Sequence, residues 1–150
     1  MQARGFSLVE MIIVLAIGGI IIAIATPALQ AYMYRSRVAQ AVVEIGDMSA
    51  AIRQKAKSTG TLPDSLDAAG FTGKADPWGF PYQYVNLADN KGNGTARKDK
   101  KLAPLNSDFD LYSVGGDGET NASLANPVSR DDVVRARDGG FIGLASDFDP

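Results

Sequence analysis

The 150-residue chain carries 15 Lys and Arg against 17 Asp and Glu, a formal net charge of −2. This balance lacks the strong positive charge of nucleic-acid binders. The chain has no Cys and no His, which excludes disulfides, Cys/His zinc sites and His-based catalysis.

An almost wholly apolar run, FSLVEMIIVLAIGGIIIAIATPAL, occupies residues 6–29 and carries one charge, Glu10. About 20 apolar residues, rising ~1.5 Å each in a helix, can cross a hydrocarbon core of about 30 Å. Apolar residues occupy every face of the helix, which favours a membrane span over the buried core helix of a soluble domain. Arg4 favours a cytoplasmic N-terminus, but Arg35 and Arg37 weaken that inference.

A secretory signal peptide has a similar order, with basic residues before an apolar run. Its small-residue cleavage pattern would follow the run, and Ala23, Ala25 and Ala28 imitate that pattern only weakly. A helical pattern continues after these residues instead of a polar loop, so we favour a retained helix.

The helical pattern extends beyond the apolar run. Apolar residues recur at spacings of three and four, on one helical face. We therefore predict one long helix from about Phe6 to about Ser58, with its second half packed on a head domain. Pro27 cannot donate a backbone hydrogen bond, so we expect a kink or a melted turn near it. The apolar face consists of Val38, Val42, Ile45, Met48 and Ile52.

Short elements follow the long helix. Ser65 to Ala69 reads as one helical turn that stops at Gly70, and residues 82–85 read as a strand. Residues 86–107 read as a long polar loop. Its basic run, Arg97-Lys98-Asp99-Lys100-Lys101, is interpreted as a solvated segment, with a neighbouring subunit or an anionic surface as the alternative partner. An aromatic cluster is interpreted as head core and consists of Trp78, Phe80, Tyr82 and Tyr84.

The C-terminal part predicts three further elements. Residues 110–114 read as a second strand. Residues 131–137 are interpreted as a short helix with Ser129 as its N-cap and two acidic residues in its first turn. Residues 141–144 read as a last strand or closing segment.

The N-terminal residues MQARG and FSLVE resemble the leader and the mature start of type IV pilins and type II secretion pseudopilins. The resemblance covers about the first thirty residues. It implies that a peptidase cleaves after Gly5 and that the new N-terminal residue, Phe6, is N-methylated. The chain then divides into a leader (1–5), a transmembrane and filament-core helix (6–30), and an α+β head (31–150) that includes the second half of the long helix.

Two motifs in the head resemble the major pseudopilin of type II secretion. They are DPWGFPYQYV at residues 76–85 and DFDLYSVGGDG at residues 108–118. Adhesive type IV pilins usually close a C-terminal loop with a Cys pair, which this chain lacks. The implied fold class is α+β, with a long N-terminal membrane-spanning helix packed on a small antiparallel sheet.

Glu10 is an anomaly, because a carboxylate within an apolar helix is unfavourable unless it is interfacial or paired. One interpretation is an interfacial residue with no role. The other is that a partner group neutralises it. Cleavage would give Phe6 a positive amino group, so we expect the Phe6 amino group of a neighbouring subunit to pair with Glu10 and to set the axial register.

The resemblance also implies one calcium ion per head, bound in the loop after the second strand. By matching motif, the ligands would be Asp117 and the Val114 carbonyl, with Asp131 or Asp132 completing the set. Carboxylate and carbonyl oxygens are the ligands that such hard cations take. The alternative is that residues 116–118 form an ordinary turn and that the later acids only begin a helix.

The implied function is that of a structural subunit, not an enzyme, that polymerises into a helical pseudopilus for type II secretion. The alternative is a subunit of a type IV pilus for adhesion, motility or DNA uptake. A single-pass anchored binding or catalytic domain is a third possibility, but no phosphate loop or G-x-S-x-G motif supports catalysis.

The resemblance also implies partners and a location. The partners are other copies of the chain, minor pseudopilins, the prepilin peptidase, and an inner-membrane assembly platform with its ATPase. No nucleic acid is expected. The chain would be single-pass in the bacterial inner membrane with its head in the periplasm, and after assembly it would form a periplasmic or cell-surface filament.

Overall fold

The structure, a computed structural model, describes residues 5–88 and 95–149. Residues 1–4 of the predicted leader, residues 89–94 of the predicted long loop and residue 150 lie outside the described residues. The chain divides into two compact units between residues 36 and 37.

Helix α1 (Leu8–Thr59) confirms the predicted long N-terminal helix. In the first unit its large apolar side chains are exposed on all faces. None of the apolar stretch near its N-terminus is buried, and α1 is long and apolar enough to cross a membrane. Of the kink or melted turn expected near Pro27, the melted turn is wrong, because helical structure continues through that residue. The kink stays a prediction.

In the second unit, α1 buries one face in the head core. The burial of residues spaced three and four apart confirms the predicted apolar face. Two small residues, Ala41 and Ser49, join that face, and their size lets the helix lie close to its neighbours. The buried residues of α1 are Ala41, Ile45, Met48, Ser49 and Ile52, and the partly buried ones include Val38 and Val42.

The rest of the head is a four-stranded antiparallel sheet in the order β1-β2-β3-β4. Alternate side chains of a strand point to opposite faces. Val133 accordingly joins the core formed with α1, and Val134 joins a second cluster with Leu105 and Leu124. The strands are β1 (Gln83–Asn86), β2 (Phe109–Ser113), β3 (Val133–Ala136) and β4 (Phe141–Leu144).

The predicted helical turn is helix α2 (Leu66–Ala69). The Ser65 hydroxyl accepts a hydrogen bond from the Ala68 N–H at 3.1 Å, which caps the N-terminus. Gly70 ends the turn with φ 98, a left-handed conformation that glycine adopts without strain.

The predicted helix over residues 131–137 is wrong, because β3 occupies most of this segment. All four residues of β3 are buried, and Val133 pairs with Ser113 of β2 and Leu144 of β4. Two adjacent valines suit a central strand. Ser129 caps no helix, and its hydroxyl instead donates to the Asn121 carbonyl at 2.9 Å and accepts the Asn121 N–H at 2.8 Å.

Candidate functional site

The predicted processing site lies just before α1. Gly5 and Phe6 precede the helix, and the Phe6 side chain is 75% exposed. A peptide bond outside regular structure, with exposed side chains, is accessible to a peptidase. Cleavage between these residues and methylation of Phe6 stay predictions.

Glu10 takes part in the N-terminal cap of α1. The Ser7 N–H donates to Glu10 Oε2 at 2.8 Å, and the Glu10 N–H donates to Ser7 Oγ at 3.2 Å. This reciprocal pair is a capping box, in which Ser and a Glu three residues later satisfy two N–H groups at a helix start. Its S-x-x-E pattern is visible in the sequence. The inter-subunit role of Glu10 stays a prediction, and any test must separate it from capping.

The two head motifs meet at the buried carboxylate of Asp76. Its Oδ1 accepts the N–H groups of Trp78 at 3.0 Å and Phe80 at 2.9 Å. Its Oδ2 accepts the hydroxyl of Ser113, whose Oγ accepts the Gly115 N–H at 3.1 Å. The turn of the first motif is therefore bonded directly to the strand and loop of the second.

Aromatic side chains of the first motif also pack on glycines of the second. A Cβ at Gly118, where φ is +73, would lie 2.6 Å from the Phe80 ring. A Cβ at Gly116 would lie 3.2 Å from Trp78 Nε1. The loop therefore approaches the turn too closely for a side chain at Gly118, whereas a side chain at Gly116 would require Trp78 to shift slightly. Of the predicted aromatic core, Trp78, Tyr82 and Tyr84 pack in the head core, whereas Phe80 lies against Gly118 instead.

The loop after β2 brings two of the predicted calcium ligands, Asp117 and Asp131, together. Asp131 Oδ2 accepts the N–H groups of Gly116 at 2.9 Å and Asp117 at 3.3 Å. Asp117 Oδ1 accepts the Glu119 N–H at 2.8 Å. The loop thus turns N–H groups toward a carboxylate, as anion-holding loops do, whereas calcium requires oxygens directed at one point.

The third predicted acid, Asp132, is buried and faces Arg97. The Arg97 Nη2 pairs with Asp132 Oδ2, and the Thr120 hydroxyl donates to the same oxygen at 2.7 Å. Burial raises the pKa of Asp132, and the Arg97 charge opposes that rise. Val114, the predicted carbonyl ligand, is 6% exposed. Among the described residues no group of three or more Asp and Glu side chains is placed to hold a metal. Calcium binding at two acids and the Val114 carbonyl stays an untested prediction.

Two arginines, Arg97 and Arg135, are buried in the head, and the sequence pattern does not predict this. Arg97 lies in the basic run that the sequence predicts to be solvated, yet it is 2% exposed. Arg135 in β3 forms two hydrogen bonds to Asp108, both at 2.7 Å, and one to the Phe109 carbonyl at 2.7 Å. The choice of Arg is the one available signal, because a guanidinium suits buried ion pairs better than an ammonium. The neighbouring exposed residues are Lys98, Lys100 and Lys101.

Glu44 connects α1 to the segment that leads into β1. The Tyr82 hydroxyl donates to Glu44 Oε2 at 2.8 Å, and Lys74 Nζ lies 3.2 Å from Oε1. Partial burial favours a higher pKa for Glu44, but hydrogen bonds from Gln40, Tyr82 and Lys74 hold the pKa below its usual value. The contacts of the ionised Glu44 carboxylate therefore stabilise the folded head at neutral pH, and this stabilisation is lost as pH falls through the lowered pKa.

Comparisons with known proteins agree on a pilin-like chain. Residues 1–26 match the family model described as the prokaryotic N-terminal methylation motif. The chain is 29% identical over 140 residues to a fimbrial protein of Neisseria meningitidis serogroup A, covering 90% of this chain and 80% of the relative. It is 28% identical over 144 residues to the type IV major pilin protein PilE1 of Neisseria gonorrhoeae, covering 91% and 86%.

A secretion protein is similar to the same extent. The chain is 29% identical over 144 residues to the type II secretion system core protein G of Pseudomonas aeruginosa, covering 81% of this chain and 89% of the relative. No solved structure matches the chain. The relatives are structural subunits rather than enzymes, and they divide between pili and type II secretion.

Proposed function

The chain belongs to the type IV pilin-like superfamily, and from this premise we propose that it is the major pseudopilin of a type II secretion system. The observation that carries the proposal is the bond between the Asp76 carboxylate and the Ser113 hydroxyl. Because of this bond, the two motifs that resemble the major pseudopilin act as one structural unit. The absence of Cys supports the same choice over a disulfide-closed pilus head.

In the proposed mechanism, α1 serves first as a membrane anchor and then as the filament core. Its exposed apolar side chains are covered by lipid before assembly. In the filament, the same side chains pack against the helices of neighbouring subunits, and the heads lie outside. Lipid contacts are thereby exchanged for protein contacts, so neither the membrane-inserted state nor the filament is strongly favoured. Extraction of the chain from the membrane must therefore be driven by other components.

The proposal includes specific partners and compartments. The prepilin peptidase would cleave after Gly5, and an inner-membrane assembly platform with its ATPase would extract the chain from the inner membrane. Minor pseudopilins would associate with the filament, and the heads would lie in the periplasm. The chain itself would have no catalytic role, because the filament acts mechanically on its substrate.

A type IV pilus is the second candidate function. It is favoured by the similarity to a fimbrial protein and to a major pilin over about nine-tenths of the chain. The processing, membrane insertion and helix packing would be the same. The two candidates differ in what the filament does, since one exports proteins and the other is displayed for adhesion, motility or DNA uptake.

Deletion of the gene in the native host separates the two functions. For a secretion pseudopilin, we expect folded proteins to accumulate in the periplasm and to be depleted from the medium, with surface pili unchanged. Quantitative proteomics of both fractions, with electron microscopy of surface pili, provides the measurement. Complementation with the wild-type gene is the control. Loss of surface pili with normal export would support the pilus, and no change in either readout would contradict both functions.

A further inference from the structure

The loop between β2 and β3, the late loop, already contacts a positive side chain, that of Arg97. We propose that the Arg97 guanidinium acts as an internal cation that joins the late loop to β2 and β3, in place of the calcium ion that the head motifs imply. The head would then be stable without a divalent ion. This proposal concerns the single chain and does not depend on the filament function.

The contacts of Arg97 connect four separate segments. Its backbone N–H donates to Asp110 Oδ2 in β2 at 2.7 Å, and its guanidinium carbon lies 4.0 Å from the centre of the Tyr112 ring. Its Nη1 donates to the Thr120 hydroxyl at 2.8 Å in the loop after β2. Its Nη2 pairs with Asp132, immediately before β3. The Arg97 side chain and its backbone N–H together therefore make the connections expected of a bound ion.

Because the Arg97–Asp132 pair is buried, loss of either partner should destabilise the head strongly. The side chains of Arg97 and Asp132 are 2% and 0% exposed, so little water can replace either partner. Among the described residues, Arg97 Nε and Asp132 Oδ1 have no hydrogen-bond partner, so the pair depends on its remaining contacts. Removing one partner would leave a buried, uncompensated charge, which is among the most destabilising changes a protein can undergo.

The same contacts disfavour calcium at one oxygen of Asp132 and one of Asp131, and they leave Asp132 Oδ1 as the buried oxygen without a partner among the described residues. Asp132 Oδ2 already accepts hydrogen bonds from Arg97 and from Thr120. Asp131 Oδ2 already accepts the N–H groups of Gly116 and Asp117. A guanidinium in contact with Asp132 would also repel a divalent cation at the same oxygens, most strongly in a site that excludes water.

The geometry of the guanidinium explains why this residue is Arg although its neighbours are Lys. A guanidinium presents several N–H donors in a planar fork, so it can serve Thr120 and Asp132 together while it stacks on Tyr112. A lysine ammonium would keep the charge but lose the planar fork and the stacking. We therefore expect Arg97→Lys to retain only part of the stabilisation.

Thermal unfolding of the full-length chain in detergent tests the proposal. Trp78, the single Trp of the chain, packs against Gly116, so its fluorescence reports on this loop. We expect the same melting temperature in millimolar calcium chloride and in excess EGTA. We expect Arg97→Gln to lower it by about 10 °C, because a buried Asp132 loses its counter-charge. Arg130→Gln, at an exposed arginine between the same loop and β3, should change it little.

The double variant Arg97→Gln with Asp132→Asn tests the pairing itself. Both buried charges are then absent. The fall in melting temperature of the double variant should therefore be clearly smaller than the sum of the falls for Arg97→Gln and Asp132→Asn alone. A lower melting temperature of the wild-type chain in EGTA would overturn the proposal, as would an Arg97→Gln shift no larger than that of Arg130→Gln or additive single losses. If Arg97→Gln does not fold, the wild-type comparison and Arg97→Lys, with its smaller expected shift, still decide the outcome.

Discussion

Gly5→Leu is expected to leave the precursor uncleaved and to abolish filament formation. Gly5 immediately precedes the predicted scissile bond, and the resemblance to prepilins implies that the peptidase requires glycine there. The substitution should not disturb the fold, because a Cβ at Gly5 meets no atom within 4 Å. A loss of assembly could therefore be assigned to processing.

Intact-mass measurement of the membrane-extracted chain checks this prediction. The wild-type chain should have lost residues 1–5 and gained one methyl group, and Gly5→Leu should keep the full precursor mass. Gly18→Leu is the matched control, because it adds the same side chain in a place that is also open, and it should be cleaved normally. A Gly5→Leu chain that begins at Phe6 would show that the predicted cleavage rule does not apply.

Glu10→Val is expected to preserve membrane insertion and cleavage but to prevent ordered assembly. Valine makes the helix more apolar, so insertion should not suffer. In a filament core with little water, an unpaired carboxylate is strongly unfavourable, and the Phe6 amino group of a neighbouring subunit is the expected partner. Loss of that pair would remove the contact that sets the register between subunits. A membrane-fraction blot and electron microscopy of recovered filaments measure the two effects separately.

The capping box requires two further variants. Glu10→Gln removes the charge but keeps an oxygen that can accept the Ser7 N–H, and capping boxes use either residue. Ser7→Ala keeps the charge and removes the hydroxyl that accepts the Glu10 N–H. We expect Glu10→Gln to fail in assembly as Glu10→Val does, and Ser7→Ala to assemble. Normal filaments from Glu10→Gln, together with failure of Ser7→Ala, would assign the role of Glu10 to capping.

The elements with a strong local pattern could be predicted from the sequence. The face of α1 that contains Ile45, Met48 and Ile52 repeats at helical spacing, and burial in the core follows that spacing. The turn of α2 is marked by Ser65 and Gly70, each with a local physical reason for its position. In these segments the information lies within a few neighbouring residues.

The elements that depend on distant partners could not be predicted in this way. Asp131 and Asp132 imitate the acidic first turn of a helix, yet the segment that follows is a strand because β2 and β4 enclose it. Arg97 resembles its solvated neighbours, and its partner Asp132 lies 35 residues later. Local composition cannot distinguish a buried arginine from an exposed one when the neutralising charge comes from a distant part of the chain.

Electron microscopy of filaments isolated from the native host, combined with intact-mass analysis of their subunits, tests the central claim most directly. The account predicts helical filaments built from this chain, with each subunit beginning at a methylated Phe6. A chain that remains a single membrane-anchored protein, with no filaments although the peptidase and the assembly platform are present, would contradict it.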